Sequence, residues 1–342
     1  MGARAFISGV SGVALTGEER AFLRAEAPWG FILFKRNIET PGQVSALVRD
    51  LRNTVGRADA PVLIDQEGGR VQRLGPPHWP AYPPGAVFGA LWDLDRDAGC
   101  EAARLGARLI AADLADLGIT VDCLPLADVP VAGADAVIGD RAYGTTPDKV
   151  AAIARAVATG LAEGGVLPVL KHIPGHGRAT ADSHLRLPTV DVPAAELART
   201  DFAAFAPLAD LPMAMTAHVV FSALDPAQPA TTSATIIAQV IRGTIGFQGL
   251  LMSDDVSMNA LEGSIAARTR ASLAAGCDVV LHCNGRLDEM REVAREAPPL
   301  AGEALARAER ALAARKVPQP FDREAGRAAF DRLIGRAGSL TS

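Results

Sequence analysis

Short apolar runs rich in β-branched residues recur along the chain, separated by longer stretches in which apolar positions return every three or four residues. The short runs predict strands near 5–9, 30–34, 61–65, 119–123, 166–171, 213–218, 249–253 and 278–282. The longer stretches predict the helices between them. Thr16 with Glu19 and Thr40 with Gln43 read as capping boxes, and Pro41 and Pro147 each follow a threonine, as proline does at a first helical position. Runs such as Gly249-Leu-Leu-Met252 and Val279-Val-Leu281 are continuously apolar, the pattern of strands covered on both faces. Strand and helix alternating eight times favour a single (β/α)8 barrel spanning 1–342, although a doubly wound open sheet shares the same local grammar. Beyond the eighth strand, residues 286–316 read as one amphipathic helix. A Pro-Gln-Pro break, a short helix and a polar tail follow, so that about 299–335 forms a C-terminal helical extension. The proline-rich stretch 75–85 reads as a long loop after the third strand.

Composition narrows the possible functions. With 49% apolar and 21% charged residues the chain can bury a large core. A net charge of −5 and the lack of a Lys/Arg stripe argue against nucleic acid as a partner. No run of about 18 apolar residues is present, so no membrane span is expected. The first residues lack the apolar core of a signal peptide, and Phe6 stands where an acylation motif needs Ser or Thr. Cys100, Cys123, Cys277 and Cys283 show no CxxC spacing and read as reduced, buried thiols. A cytoplasmic protein, monomeric or weakly dimeric, is the expectation.

Barrel enzymes carry their reacting groups at the C-terminal ends of strands. The third predicted strand ends Asp65-Gln-Glu-Gly-Gly-Arg70, the fifth Leu170-Lys-His172, the sixth Thr216-Ala-His218 and the seventh Ser253-Asp-Asp255. Gathering ionisable groups on one rim costs desolvation and repulsion unless a site needs them. Asp255 alone reads as a turn former. Pro174, Gly175 and Gly177 forbid a helix after the fifth strand, so His172 and His176 do not share a helical face despite their i,i+4 spacing. With no HExxH and with Lys171 adjacent, no metal is expected. The Gly175-x-Gly177 pair lacks the third glycine of a dinucleotide fingerprint, and no cofactor is expected. In an extended loop Asp182 and His184 project to one side, where the carboxylate can orient the imidazole as a general acid or serve only as a turn beside a surface histidine.

Together, Asp65-Gln-Glu-Gly-Gly-Arg70, Lys171-His-Ile-Pro-Gly-His-Gly177, Asp182-Ser-His184 and Ser253-Asp-Asp-Val-Ser-Met258 resemble glycoside hydrolase family 3, more narrowly its single-domain β-N-acetylglucosaminidases. Ile173 and Val256 replace the Phe and Leu usual there. The resemblance implies a retaining glycosidase with Asp254 as nucleophile and His184, oriented by Asp182, as acid/base. It implies sugar contacts from Asp65, Arg73, Arg141, Lys171 and His172, with Arg141 open to a second reading as a loop ion pair. The implied substrate is a carbohydrate or muropeptide fragment of cell-wall recycling. Phosphorolysis remains an alternative, because a neutral imidazole base does not repel phosphate. So do β-glucosidase activity and a sugar-binding barrel without turnover. The 173–188 loop, punctuated by Gly and Pro, is expected to move over bound sugar.

Overall fold

The computed structural model describes residues 2–179, 181–183 and 186–338. Eight parallel strands close into a barrel: β1 (Arg4–Ser8), β2 (Pro28–Leu33), β3 (Val62–Ile64), β4 (Val121–Asp122), β5 (Leu167–Ile173), β6 (Met213–Thr216), β7 (Leu250–Asp255) and β8 (Val279–His282). Each of the eight apolar runs supplies one strand, and β8 pairs with β1 to seal the barrel. β4 is shorter than its apolar run. β5 runs past Lys171 because Ile173 still pairs with Thr216 of β6.

Alternation along the strands separates two cores. Ile7, Ile32, Leu63, Val169, Met215, Met252 and Leu281 pack inside the barrel. Their neighbours Phe6, Phe31, Val62, Leu170, Ala214, Leu251 and Val280 pack with the helix-borne apolar residues. Both faces of each strand are therefore covered, which is why the runs read as continuously apolar.

The single helix expected over 286–316 is instead two, Leu287–Glu296 and Gly302–Ala313. Pro298 and Pro299 break it, since neither can donate the amide a continuing helix needs. The freed segment adds to the barrel edge: Ala5 N–H donates to the Pro298 carbonyl and Leu300 N–H to that of Ala3. Leu300, Ala308 and Ala311 then pack onto the interior core and plug the barrel's N-terminal end. The last helix, Arg323–Gly338, is longer than the short one expected, and its Phe330 packs edge-on against Tyr82.

Thr16 and Glu19 form the full reciprocal capping box. Thr40 accepts from Gln43 N–H, but Gln43 Oε1 accepts from the Glu39 amide and its Nε2 donates to Val13 and Asn37 carbonyls, so only half a box forms. The four cysteines are unpaired. Among the described residues no helix is long and apolar enough to cross a membrane.

Candidate active site

A cavity of about 500 Å³ opens at the C-terminal ends of the strands. Asp65, Arg73, Arg141, Lys171, His172, Asp182 and Asp254 all line it, so every candidate residue that the structure describes falls in one place. His184 lies outside the described residues. Ile32, Met215 and Leu281 bring the apolar interior of the barrel up to the cavity, an apolar surface beneath a polar rim.

One wall is a chain of alternating charge. Arg73 donates to Asp65 Oδ2 at 3.0 Å, and Lys171 Nζ lies 3.0 Å from Asp65 Oδ1 and 2.6 Å from Glu67 Oε1. Arg141 closes the chain with two 2.8 Å bonds to Glu67. Burial opposes the charge on Asp65 and on Glu67, but Lys171 together with Arg73 and Arg141 outweighs it and holds both carboxyls below their ordinary range. Lys171 is only 2% exposed; burial opposes its charge, and Asp65 and Glu67 overcome that and raise its pKa. Arg141 is an ion-paired loop residue, as one of its two readings has it, and it also lines the cavity.

The wall owes its shape to a small hairpin, in which Gln66–Gly68 pairs antiparallel with Val71–Gln72. Gly68 and Gly69 turn it with φ of 97° and 55°, and a Cβ on Gly68 would meet the Pro83 carbonyl oxygen at 2.3 Å. Gln66 ties the hairpin down: its Oε1 accepts from the amides of Arg73 and Leu74, and its N–H donates to Asp122 Oδ1. Asp122 is fully buried beneath, and burial holds its carboxyl well above the ordinary range.

At the end of β5 the Lys171–His172 and Ile173–Pro174 peptides are cis. His172 Nδ1 is 2.7 Å from Asp128 Oδ2, while Asp128 Oδ1 accepts from the His172 and His176 amides. Asp128 is fully buried; burial opposes its charge, but His172 and His176 pull its pKa below the ordinary range. A charged carboxylate can only accept, so His172 Nδ1 carries the hydrogen. Asp128 was missed in the sequence, although Leu126-Ala-Asp128 follows the fourth apolar run and meets the same strand-end criterion.

His176 packs edge-on against His172, at 5.7 Å between ring centroids, although the intervening backbone is not helical. Its Nε2 lies 3.0 Å from Ser183 Oγ, and its pKa is lowered to about 4, first by burial and then by His172. Gly177 passes close to Val129, where a Cβ would stand 2.2 Å from the carbonyl oxygen. Close packing against the 129–130 segment thus uses the second glycine of the Gly-x-Gly pair.

β7 delivers Asp254, whose Oδ1 accepts from the Asp255 amide at 2.8 Å. Asp255 is the turn former its position suggested: Oδ1 accepts from the amides of Ser257 and Cys283, and Oδ2 from the Ser257 hydroxyl at 2.6 Å. Among the described residues no group of three or more His, Cys, Asp or Glu is arranged to hold a metal.

Residues 9–312 match the model of the glycosyl hydrolase family 3 N terminal domain. A β-hexosaminidase of Aromatoleum aromaticum is 37% identical over 318 residues, 92% of this chain and 87% of that one. A β-hexosaminidase of Methylococcus capsulatus is 40% identical over 277 residues, 80% of each chain. The crystal structure of NagZ from Neisseria gonorrhoeae in complex with N-trifluoroacetyl-D-glucosamine superposes with a TM-score of 0.85 at 32% identity, covering 100% of this chain and 99% of the other.

Proposed function

The chain belongs to glycosyl hydrolase family 3 and is a glycosidase, and from that premise we propose that it removes terminal β-linked N-acetylglucosamine with retention of configuration. The observation that carries this reading is the placement of Asp254, held through its own neighbour's amide, in one cavity with the Arg73–Asp65–Lys171–Glu67 chain. The names of the relatives, β-hexosaminidases and NagZ, support the amino-sugar specificity.

In the first step Asp254 attacks the anomeric carbon while the bond from that carbon to the leaving oxygen breaks, and His184 gives its proton to that oxygen. In the second, water attacks the anomeric carbon, loses a proton to His184, and the ester to Asp254 breaks. An imidazole serves here because it gives the proton as a cation and takes it back as a neutral base, whereas a second carboxylate close to Asp254 would repel it. Asp182, at the cavity, orients His184. Asp65 accepts from sugar hydroxyls, while Arg73, Lys171 and Arg141 donate. His172, its Nδ1–H committed to Asp128, turns Nε2 to the sugar.

The natural substrates in this reading are muropeptide fragments released during cell-wall recycling, hydrolysed in the cytoplasm. Movement of the 173–188 loop over bound sugar belongs to this reading; residues 180, 184 and 185 of it lie outside the described ones, and the same position of the loop in liganded and unliganded crystals would refute the movement.

The test compares aryl N-acetyl-β-glucosaminide with aryl β-glucoside in the parent, Asp254→Ala, Asp255→Ala and His184→Ala, each with and without phosphate. The amino sugar should be strongly preferred, and Asp254→Ala should lose roughly 10³-fold or more in kcat. His184→Ala should lose most on poor leaving groups. Near-normal turnover by Asp254→Ala overturns the nucleophile assignment, and a sugar 1-phosphate product overturns hydrolysis.

A further inference from the structure

His218 is the strand-end histidine to which the scheme above gives no task. It lies just past β6 and is fully buried, as are Thr216, the last residue of β6, and Thr231. These three side chains form a run of hydrogen bonds around Asp254. The Asp254 amide donates to Thr216 Oγ1 at 3.2 Å, Thr216 Oγ1 is 2.8 Å from Thr231 Oγ1, and Thr231 Oγ1 is 2.7 Å from His218 Nδ1. His218 Nε2 is 3.0 Å from the Asp255 carbonyl oxygen.

Counting hydrogens orders these bonds. A carbonyl has no hydrogen to give, so Nε2 carries one. When Nδ1 is bare it accepts the single Thr231 hydroxyl hydrogen, whose other acceptor is the Ala217 carbonyl at 3.1 Å. Thr216 must therefore donate to Thr231, which leaves a Thr216 lone pair for the Asp254 amide.

We propose that His218, through Thr231 and Thr216, is a positioning residue for the nucleophile. This rests on the reading of Asp254 as nucleophile. The run pins the peptide units on either side of the one whose N–H holds the Asp254 carboxylate, at the Asp254 amide and at the Asp255 carbonyl. The amide of Cys283, the residue after β8, holds the Asp255 side chain, so the Asp254–Asp255 pair is tied to the ends of both neighbouring strands. A carboxylate fixed before the sugar arrives does not need to be ordered during attack, which is where misplacement costs rate.

The test uses the full chain and an aryl N-acetyl-β-glucosaminide. Thr216→Val, which keeps the shape and removes both the lone pair and the hydrogen, should lower kcat on the order of 10- to 100-fold while KM stays within about threefold. Thr216→Ser should recover most of the loss. In nitrogen-15 spectra of the unmodified enzyme, His218 should carry its hydrogen on Nε2 with Nδ1 bare. Asp254→Ala is measured alongside: if it retains activity, the nucleophile reading falls and this proposal with it. If Asp254→Ala is inactive but Thr216→Val keeps kcat within about threefold, or Thr216→Ser loses as much as Thr216→Val, the positioning role alone is overturned. Should Thr216→Val fail to fold, the spectrum decides, and a hydrogen on Nδ1 of His218 overturns the proposal.

Discussion

Two adjacent carboxylates on β7 illustrate how little the residue type decides. Asp254 and Asp255 both line the cavity and differ in what surrounds them: Asp254 accepts from its neighbour's amide, whereas Asp255 spends both oxygens on the amides of Ser257 and Cys283 and the Ser257 hydroxyl. Asp128 is a similar case one step removed, since it meets the cavity through the His172 ring and the His176 amide. In Asp128→Asn an amide replaces one carboxylate oxygen, which pushes the His172 hydrogen from Nδ1 to Nε2. We expect kcat/KM to fall by roughly tenfold or more, mostly through KM, with the circular dichroism unchanged. His176 supplies a pH dependence. Folded, it binds its proton only near pH 4, whereas the unfolded chain binds it near 6.5, so between those values the unfolded state holds more protons and stability falls as pH is lowered. The loss approaches about 3 kcal/mol at the acid end of that window. In His176→Gln, whose amide can still reach Ser183, the melting temperature should drop less between pH 6.5 and 4 than in the parent. An equal drop would show that other groups carry the acid sensitivity.

At the scale of elements, the Gln66–Gln72 hairpin presents the cation-rich wall, and its glycines are where it is most vulnerable. Gly68→Ala meets both an unfavourable φ of 97° and the Pro83 carbonyl. A loss of stability of about 1–3 kcal/mol is expected, read as a lower melting temperature, together with a higher KM as Asp65 and Glu67 shift. The barrel strands themselves were legible because each carries an apolar run between turn signals, and neither face needs polar residues. The hairpin was not, because Gln66-Glu-Gly68 has no apolar alternation and pairs only once Gln66 has found Asp122 and the amides of Arg73 and Leu74. The break at Pro298 and Pro299 was legible in principle, since proline cannot continue a helix. The amphipathic spacing on both sides concealed it.

For the whole molecule, closure of the barrel brings charges from distant stretches into one chain, Arg73–Asp65–Lys171–Glu67–Arg141. Glu67 is its hinge, only 4% exposed at the side chain and shared by two cations. Glu67→Gln leaves Lys171 and Arg141 without the charge that balances their burial. It should destabilise by about 3–5 kcal/mol in urea unfolding and raise KM; a change below about 1 kcal/mol would mean that solvent already screens the chain. The sequence by itself determined the eight strands, their alternation with helices and the polar residues at the strand ends, because short apolar runs between turn signals read as covered strands; that the sheet closes into a barrel and gathers those ends around one cavity belongs to the tertiary structure. The tertiary structure alone decided what each polar group does. Whether a carboxylate lines the cavity between two cations, as Asp65 does, orients a histidine, as Asp128 does, or ties a turn, as Asp255 does, depends on partners as many as 106 residues away. No local pattern records those distances.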